Sequence, residues 1–232
     1  MTPKELEIKK FYDTIKFPGK YTADDVVNHC DILIYERYLK FFESKHINNM
    51  LDVGCGSGFV TNVIAYNNPN IQITALDFSD TIEHGKLISK ELGCTNIEWK
   101  QINFFDFEAD VFDLVLCNGS IHHMPNFNLA VDKCKSLTKK YLMLGLYNKY
   151  GKFLQRKIRP TFVTDVFELD QLSIPFELSF THKEILNYFK DFELLSVTPS
   201  ILNTGVDFLS LFRSKWGGFS FYVFKKKDNL KI

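Results

Sequence analysis

Leu51-Asp-Val-Gly-Cys-Gly-Ser-Gly-Phe59 decides how the rest of the chain is read. A short apolar strand over residues 49–53 turns at once into a glycine-rich loop, and a helix follows through Ile64. Gly54, Gly56 and Gly58 let the backbone turn tightly and approach a ligand without Cβ atoms in the way. A strand that feeds a helix directly also presents the backbone N–H groups of the helix N-terminus. Asp52 stands just before the loop, where it fixes the loop's geometry or meets a ligand amino group through water. The spacing separates two ligands. A dinucleotide fingerprint reads GxGxxG, whereas here the glycines fall at GxGxG and Phe59 holds the third glycine's position. Taken alone, the loop is equally a structural strand–helix turn.

Outward from the loop, the pattern alternates. Residues 71–76 read as a strand, 80–92 as a helix ended by Gly93, and 97–101 as a strand. A strand at 112–117, a helix at 128–137 and a strand at 141–147 complete the run. Continuous apolar strands alternating with helices predict an α/β fold, a Rossmann-like three-layer sandwich around a mostly parallel sheet. Upstream, residues 4–15 are helical, Pro18-Gly19 breaks the pattern, and Asp24 or Asp25 is placed to cap a long amphipathic helix from Val26 to Ser44. Downstream, the period is lost over 148–180, which suggests a lid inserted over the strand ends. Thr181 with Glu184 forms a capping box that opens a helix to Phe189. Residues 192–198 and 219–224 read as strands, the second as an antiparallel edge. The expectation is one domain with seven strands. It comprises an N-terminal helical cap (1–46), a binding core (47–147), the lid (148–180), and a C-terminal helix with edge strands (181–232).

Composition narrows the function classes. The 232 residues are 45% hydrophobic and 24% charged, as in ordinary globular proteins. Lys+Arg and Asp+Glu are 28 each, so no net field favours nucleic acid or an anionic membrane. No apolar run reaches the ~20 residues of a membrane span, and the charged N-terminus lacks a signal-peptide core. The 5 cysteines are scattered singly, so neither a zinc site nor a disulfide framework is expected. A cytoplasmic setting without metal fits this pattern.

Asp77 ends the strand that follows the loop helix, about 20 residues on, where an acidic side chain accepts hydrogen bonds from both ribose hydroxyls of a nucleoside. It or Ser79 is equally a helix cap, and the two roles coexist. Three motifs now stand in order: LDVGCGSGF (51–59), ALDFS (75–79) and FDLVLCNGSIHHMPN (112–126). With them, residues 47–147 resemble the class I S-adenosylmethionine-dependent methyltransferases, in the ubiquinone/menaquinone-type small-molecule branch. The resemblance implies S-adenosylmethionine as cofactor and a small-molecule methyl acceptor. It places Gly54, Gly56 and Gly58 beside the methionine portion, Asp77 and Phe78 at the ribose, and Asn118 near the methionine group. The family usually contacts adenine with an Asp followed by a small residue. The matching pair here is Asn103-Phe104, with Asp106 as the alternative.

Methyl transfer from a sulfonium needs alignment above all, since oriented reactants gain ~7–11 kcal/mol. A base is required only when the acceptor must lose a proton. The resemblance sets His122 and His123 by the transferring methyl, and imidazole, with an ordinary pKa of ~6.5, suits that task. Equally, one or both histidines hold their loop by bonds to backbone, and the two are expected to differ, one facing the pocket and the other the loop backbone. Tyr147, Tyr150 and Arg156 are candidates to line the acceptor site from the lid. Tyr12 and Tyr21 of the N-terminal segment, grouped with them as substrate-binding residues, are candidates to close over the cofactor in the same way. Two other readings remain open: a non-catalytic cofactor-binding partner subunit and a dinucleotide oxidoreductase.

Overall fold

The computed structural model describes residues 1–15, 17, 19–28, 38–149, 175–198 and 219–228. The N-terminal part holds α1 (Pro3–Ile15), α2 (Ala23–Val27) and α3 (Lys40–Ser44). The core alternates β1 (Asn49–Val53), α4 (Phe59–Asn67), β2 (Gln72–Asp77), α5 (Ile82–Glu91), β3 (Ile97–Gln101), β4 (Phe112–Asn118), α6 (Phe127–Leu137) and β5 (Thr138–Tyr147). The C-terminal part adds α7 (His182–Tyr188), β6 (Phe192–Thr198) and β7 (Phe219–Lys226).

Seven strands form one sheet in the order β3-β2-β1-β4-β5-β7-β6. β1 pairs in parallel with β2 on one side and β4 on the other, so residues 51–53 lie in a central strand, as expected. Its residues are almost free of solvent on both faces because side chains alternate into two cores. Leu51, Val53, Val115, Cys117, Leu142 and Leu144 face the layer that carries α6 and α7. Met50, Ile73, Leu114, Leu116 and Met143 face the opposite layer, with Ile64 of α4. Helices on both faces of a parallel sheet are what strand-helix alternation requires.

β7 is the antiparallel strand and lies one place in from the margin, which β6 occupies. Its sequence explains the position. Phe221 and Val223 enter one core while Tyr222 and Phe224 enter the other, so both faces of β7 need cover.

The long helix expected over residues 26–44 is a correction. α2 ends at Val27, with Asn28 as its C-cap. Asp24 and Asp25 do not cap it either. Thr22 does, accepting from the Asp25 N–H, while the Asp25 carboxylate accepts from the Thr22 N–H. The aspartates instead occupy the first turn, where negative charge suits the helix dipole. Residues 29–37 lie outside the described residues. The capping box of Thr181 and Glu184 holds as read. Among the described residues no helix is long and apolar enough to cross a membrane.

Candidate active site

The strand order reverses between β1 and β4, and their carboxyl ends open the crevice in which such sheets bind ligands. The glycine loop follows β1 and the histidine turn follows β4. Gly54 N and Cys55 N donate to the Leu76 carbonyl at 2.8 and 2.9 Å, and Ser57 N donates to the Phe17 carbonyl at 3.0 Å. Gly58 N donates to the Cys55 carbonyl at 3.0 Å, and Gly56 N to Asp77 Oδ2 at 2.8 Å. Every N–H from 54 to 58 is therefore engaged within the protein. The N–H groups of the helix N-terminus proper, those of residues 59–61 in the first turn of α4, are not among these bonds.

The glycines serve the protein as much as any ligand. Gly54 (φ 70°), Gly56 (φ 57°) and Gly58 (φ 80°) all lie in the left-handed region. A Cβ on Gly54 would collide with Ser120, and one on Gly58 with the Trp99 ring and the Gly85 backbone. Ser120 also donates through Oγ to the Val53 carbonyl, which ties the turn after β4 to the end of β1.

Acceptors dominate the crevice floor. Asp77 is buried, and its Oδ1 accepts from Ser79 N at 2.8 Å and Ser79 Oγ at 2.6 Å. With Gly56 N on Oδ2, three of the roughly four acceptor positions of a carboxylate are filled. The Phe78 backbone also bonds to the carboxylate, so its acceptor positions are largely taken by the protein. Ser79 Oγ is in turn in hydrogen-bond contact with Thr81 Oγ1. Asp52 is buried beneath the loop and accepts from Thr61 Oγ1 at 2.6 Å. Burial pushes its carboxyl up to about 7, with the neighbouring Asp77 acting in the same direction and Thr61 opposing. Burial likewise raises Asp77, against its bonds from Ser79 and Gly56. Asn118 is half-buried at the end of β4, and its Oδ1 is an acceptor without a hydrogen-bond donor among the described residues. Two buried carboxyls and an unmatched amide oxygen fit a ligand rich in donors or carrying positive charge. An ammonium, a sulfonium and a ribose meet that description; a pyrophosphate does not.

Phe78 follows Asp77 half-buried. The adenine candidates divide. Asn103 caps a short turn by accepting from Phe105 N at 3.0 Å. The Phe104 ring is buried in the core, with Lys133 Nζ 5.4 Å from its centroid, so its side chain is turned away from a ligand. Asp106 is exposed.

Beyond β4, Ile121–His123 forms one tight turn whose side chains are all buried. The rings of His122 and His123 lie 4.1 Å apart, and that of Tyr147 lies 4.2 and 5.5 Å from them. Tyr12 of α1 reaches His123 at 6.0 Å. The chain approaching Phe180 closes over this turn. His123 Nδ1 lies 3.0 Å from the Phe176 carbonyl, and Leu178 N donates to the His122 carbonyl at 2.9 Å. A carbonyl only accepts, so Nδ1 of His123 carries a proton, and in the neutral form of the ring the lone pair is on Nε2.

Tyr21, expected to close over the cofactor, stands on the glycine loop: its hydroxyl donates to the Ser57 carbonyl at 2.9 Å and accepts from Asn62 Nδ2 at 2.8 Å. Tyr150 and Arg156 lie outside the described residues. Trp99, Ser120 and Phe219 were missed. Phe219 lies 6.4 Å from His122 and packs where a Cβ on Gly145 would sit. Only a contact map finds these three, although Ser57 stood within the motif as one of its variable positions.

A family model described as a methyltransferase domain matches residues 44–191. Pavine N-methyltransferase of Thalictrum flavum subsp. glaucum is 22% identical over 153 residues, 63% of this chain and 42% of that protein. Ubiquinone biosynthesis O-methyltransferase of Actinobacillus pleuropneumoniae serotype 7 is 29% identical over 98 residues, 39% of this chain and 41% of that protein. The chain thus spans less than half the length of these curated relatives. Magnesium protoporphyrin IX methyltransferase from Synechocystis PCC 6803, solved with bound SAH, shares the fold. Its TM-score is 0.64 at 12% identity, over 97% of this chain and 100% of that one.

Proposed function

The chain belongs to the methyltransferase-domain family of class I S-adenosylmethionine-dependent enzymes, and from that premise we propose that it methylates a small-molecule acceptor. The observation that carries the cofactor is the acceptor-rich crevice between the ends of β1 and β4, where Asp52, Asp77 and the Asn118 amide oxygen stand. Asp77 receives a ribose hydroxyl, Asn103 the adenine edge, and Asn118 with Asp52 the amino-acid end. When bound, S-adenosylmethionine supplies a methyl group on a sulfonium whose departure leaves a neutral thioether. The protein's part is to hold the acceptor in line with it, which accounts for the absence of any need for a nucleophilic side chain.

Where the acceptor carries a proton, His123 is the base. The Phe176 carbonyl holds its Nδ1 proton, so Nε2 is the nitrogen that takes the acceptor's proton. His122, at the centre of the ring cluster, supports His123 and Tyr147. Tyr12, Tyr147 and Phe219 give this end an aromatic wall suited to an apolar acceptor. A small molecule is favoured over nucleic acid by the zero net charge and by the likeness to the pavine and ubiquinone-biosynthesis methyltransferases.

The test is to incubate the protein with methyl-labelled S-adenosylmethionine and a fractionated metabolite extract. Label is expected in the low-molecular-weight fraction. Label confined to nucleic acid or protein would overturn the acceptor class. No transfer, with cofactor still bound, would favour a non-catalytic partner subunit.

A further inference from the structure

We propose that Tyr21 is a positioning residue for cofactor binding, acting through Ser57 to hold the glycine loop in its receiving shape. The inference rests on the reading that this loop is the cofactor site.

All of the polar groups of Ser57 are held by one short stretch of chain ahead of α2. Its N–H donates to the Phe17 carbonyl at 3.0 Å, its Oγ to the Gly19 carbonyl at 3.1 Å, and its carbonyl accepts from the Tyr21 hydroxyl at 2.9 Å. Ser57 is buried, so these bonds replace water rather than compete with it. Tyr21 is itself fixed on several sides. Its ring stands edge-on to Phe59 at 5.0 Å and to His84 at 4.8 Å. His84 Nε2 lies 2.8 Å from its carbonyl, and its hydroxyl also accepts from Asn62 in α4. Burial pushes the phenol well above its ordinary range, so it stays a donor.

The loop needs such a pin. Glycine at 54, 56 and 58 gives it more backbone freedom than any other stretch of similar length would have. Asp77 holds the Gly56 N–H from beneath and the Gly58 N–H bonds within the loop to the Cys55 carbonyl, but among the described residues the N–H and carbonyl of Ser57 itself are held from the N-terminal side. Released there, residues 56–58 sample many conformations, and cofactor binding must then order them again. β1 and α4 are anchored in the two cores independently of this contact, so the latch acts on binding more than on folding.

Tyr21→Phe removes the hydroxyl and keeps the ring. In the whole chain, calorimetric titration with S-adenosylhomocysteine should show about tenfold weaker binding, the scale of one lost hydrogen bond. Amide exchange at residues 56–58 should quicken by more than that of β1 and α4, beyond what any small drop in the thermal midpoint of the ligand-free protein accounts for. Asp77→Ala is titrated alongside. If Asp77→Ala weakens binding and Tyr21→Phe does not, the latch is wrong. If neither weakens it, the site reading beneath the latch is wrong. A loss of affinity that merely follows a lowered midpoint also overturns the latch. Should Tyr21→Phe not fold, Ser57→Ala, which deletes only the bond to Gly19, should weaken binding about threefold, and unchanged affinity would overturn the proposal.

Discussion

At the residue scale, single atoms decide what the glycine loop accepts. With Asp77 as the ribose acceptor, Asp77→Ala should weaken S-adenosylhomocysteine by about 1–3 kcal/mol, read by calorimetry. Unchanged affinity would reduce Asp77 to an anchor for Gly56 and Ser79. Gly58 makes a different prediction because its Cβ position is already filled by Trp99. Gly58→Ala should cost about 1–3 kcal/mol of stability from the left-handed backbone and the clash. Adding Trp99→Leu should recover only the steric part, which denaturant unfolding of the two variants would reveal. GxGxG was legible as a turn and Asp77 as its acidic partner. Which glycines answer to the protein was not legible, since Ser120 and Trp99 lie far away in sequence and meet the loop only through the strand order.

Elements carry the electrostatics and the chemistry. The carboxyl of Asp52 sits within β1 and is raised to about 7 by burial. A raised acid favours the folded state while it is protonated. Its contribution is fully present below the ordinary carboxylate range and is lost as pH rises through about 7. Asp52→Asn abolishes that titration. The variant should therefore gain stability relative to wild type between pH 5 and pH 8, on the order of a few kcal/mol, in paired urea titrations. A constant difference across that range would contradict the buried acid. In the turn after β4, His123→Ala should lower turnover about 10²–10⁴-fold and remove the acid limb of the pH–rate profile, with cofactor affinity kept. His122→Ala should act more through the packing of Tyr147. That one histidine faces backbone was foreseeable; which one, and that the partner is Phe176, depends on a segment with no periodic signal.

Over the whole molecule, the sequence-based reading of the fold succeeded where local pattern and tertiary demand agree. β3 and the capping box of α7 fall where spacing predicts, because buried strands and helix caps are written in a few neighbouring residues. It failed where the demand is non-local. The helix expected from Val26 ends at Val27, and the bond from the Tyr21 hydroxyl to the Ser57 carbonyl joins residues far apart in sequence. The place of β7 inside the sheet likewise follows from two cores that only the assembled layers define. The claim that unites these scales is that the crevice between β1 and β4 takes a donor-rich, positively charged nucleoside and no pyrophosphate. Calorimetric titration of the purified chain with S-adenosylhomocysteine and, in parallel, with NAD tests it most directly. Saturable single-site binding of S-adenosylhomocysteine that Gly56→Val abolishes, with no heat from NAD, is the predicted result. Binding of NAD at that site, or no binding of S-adenosylhomocysteine by the folded protein, would contradict it.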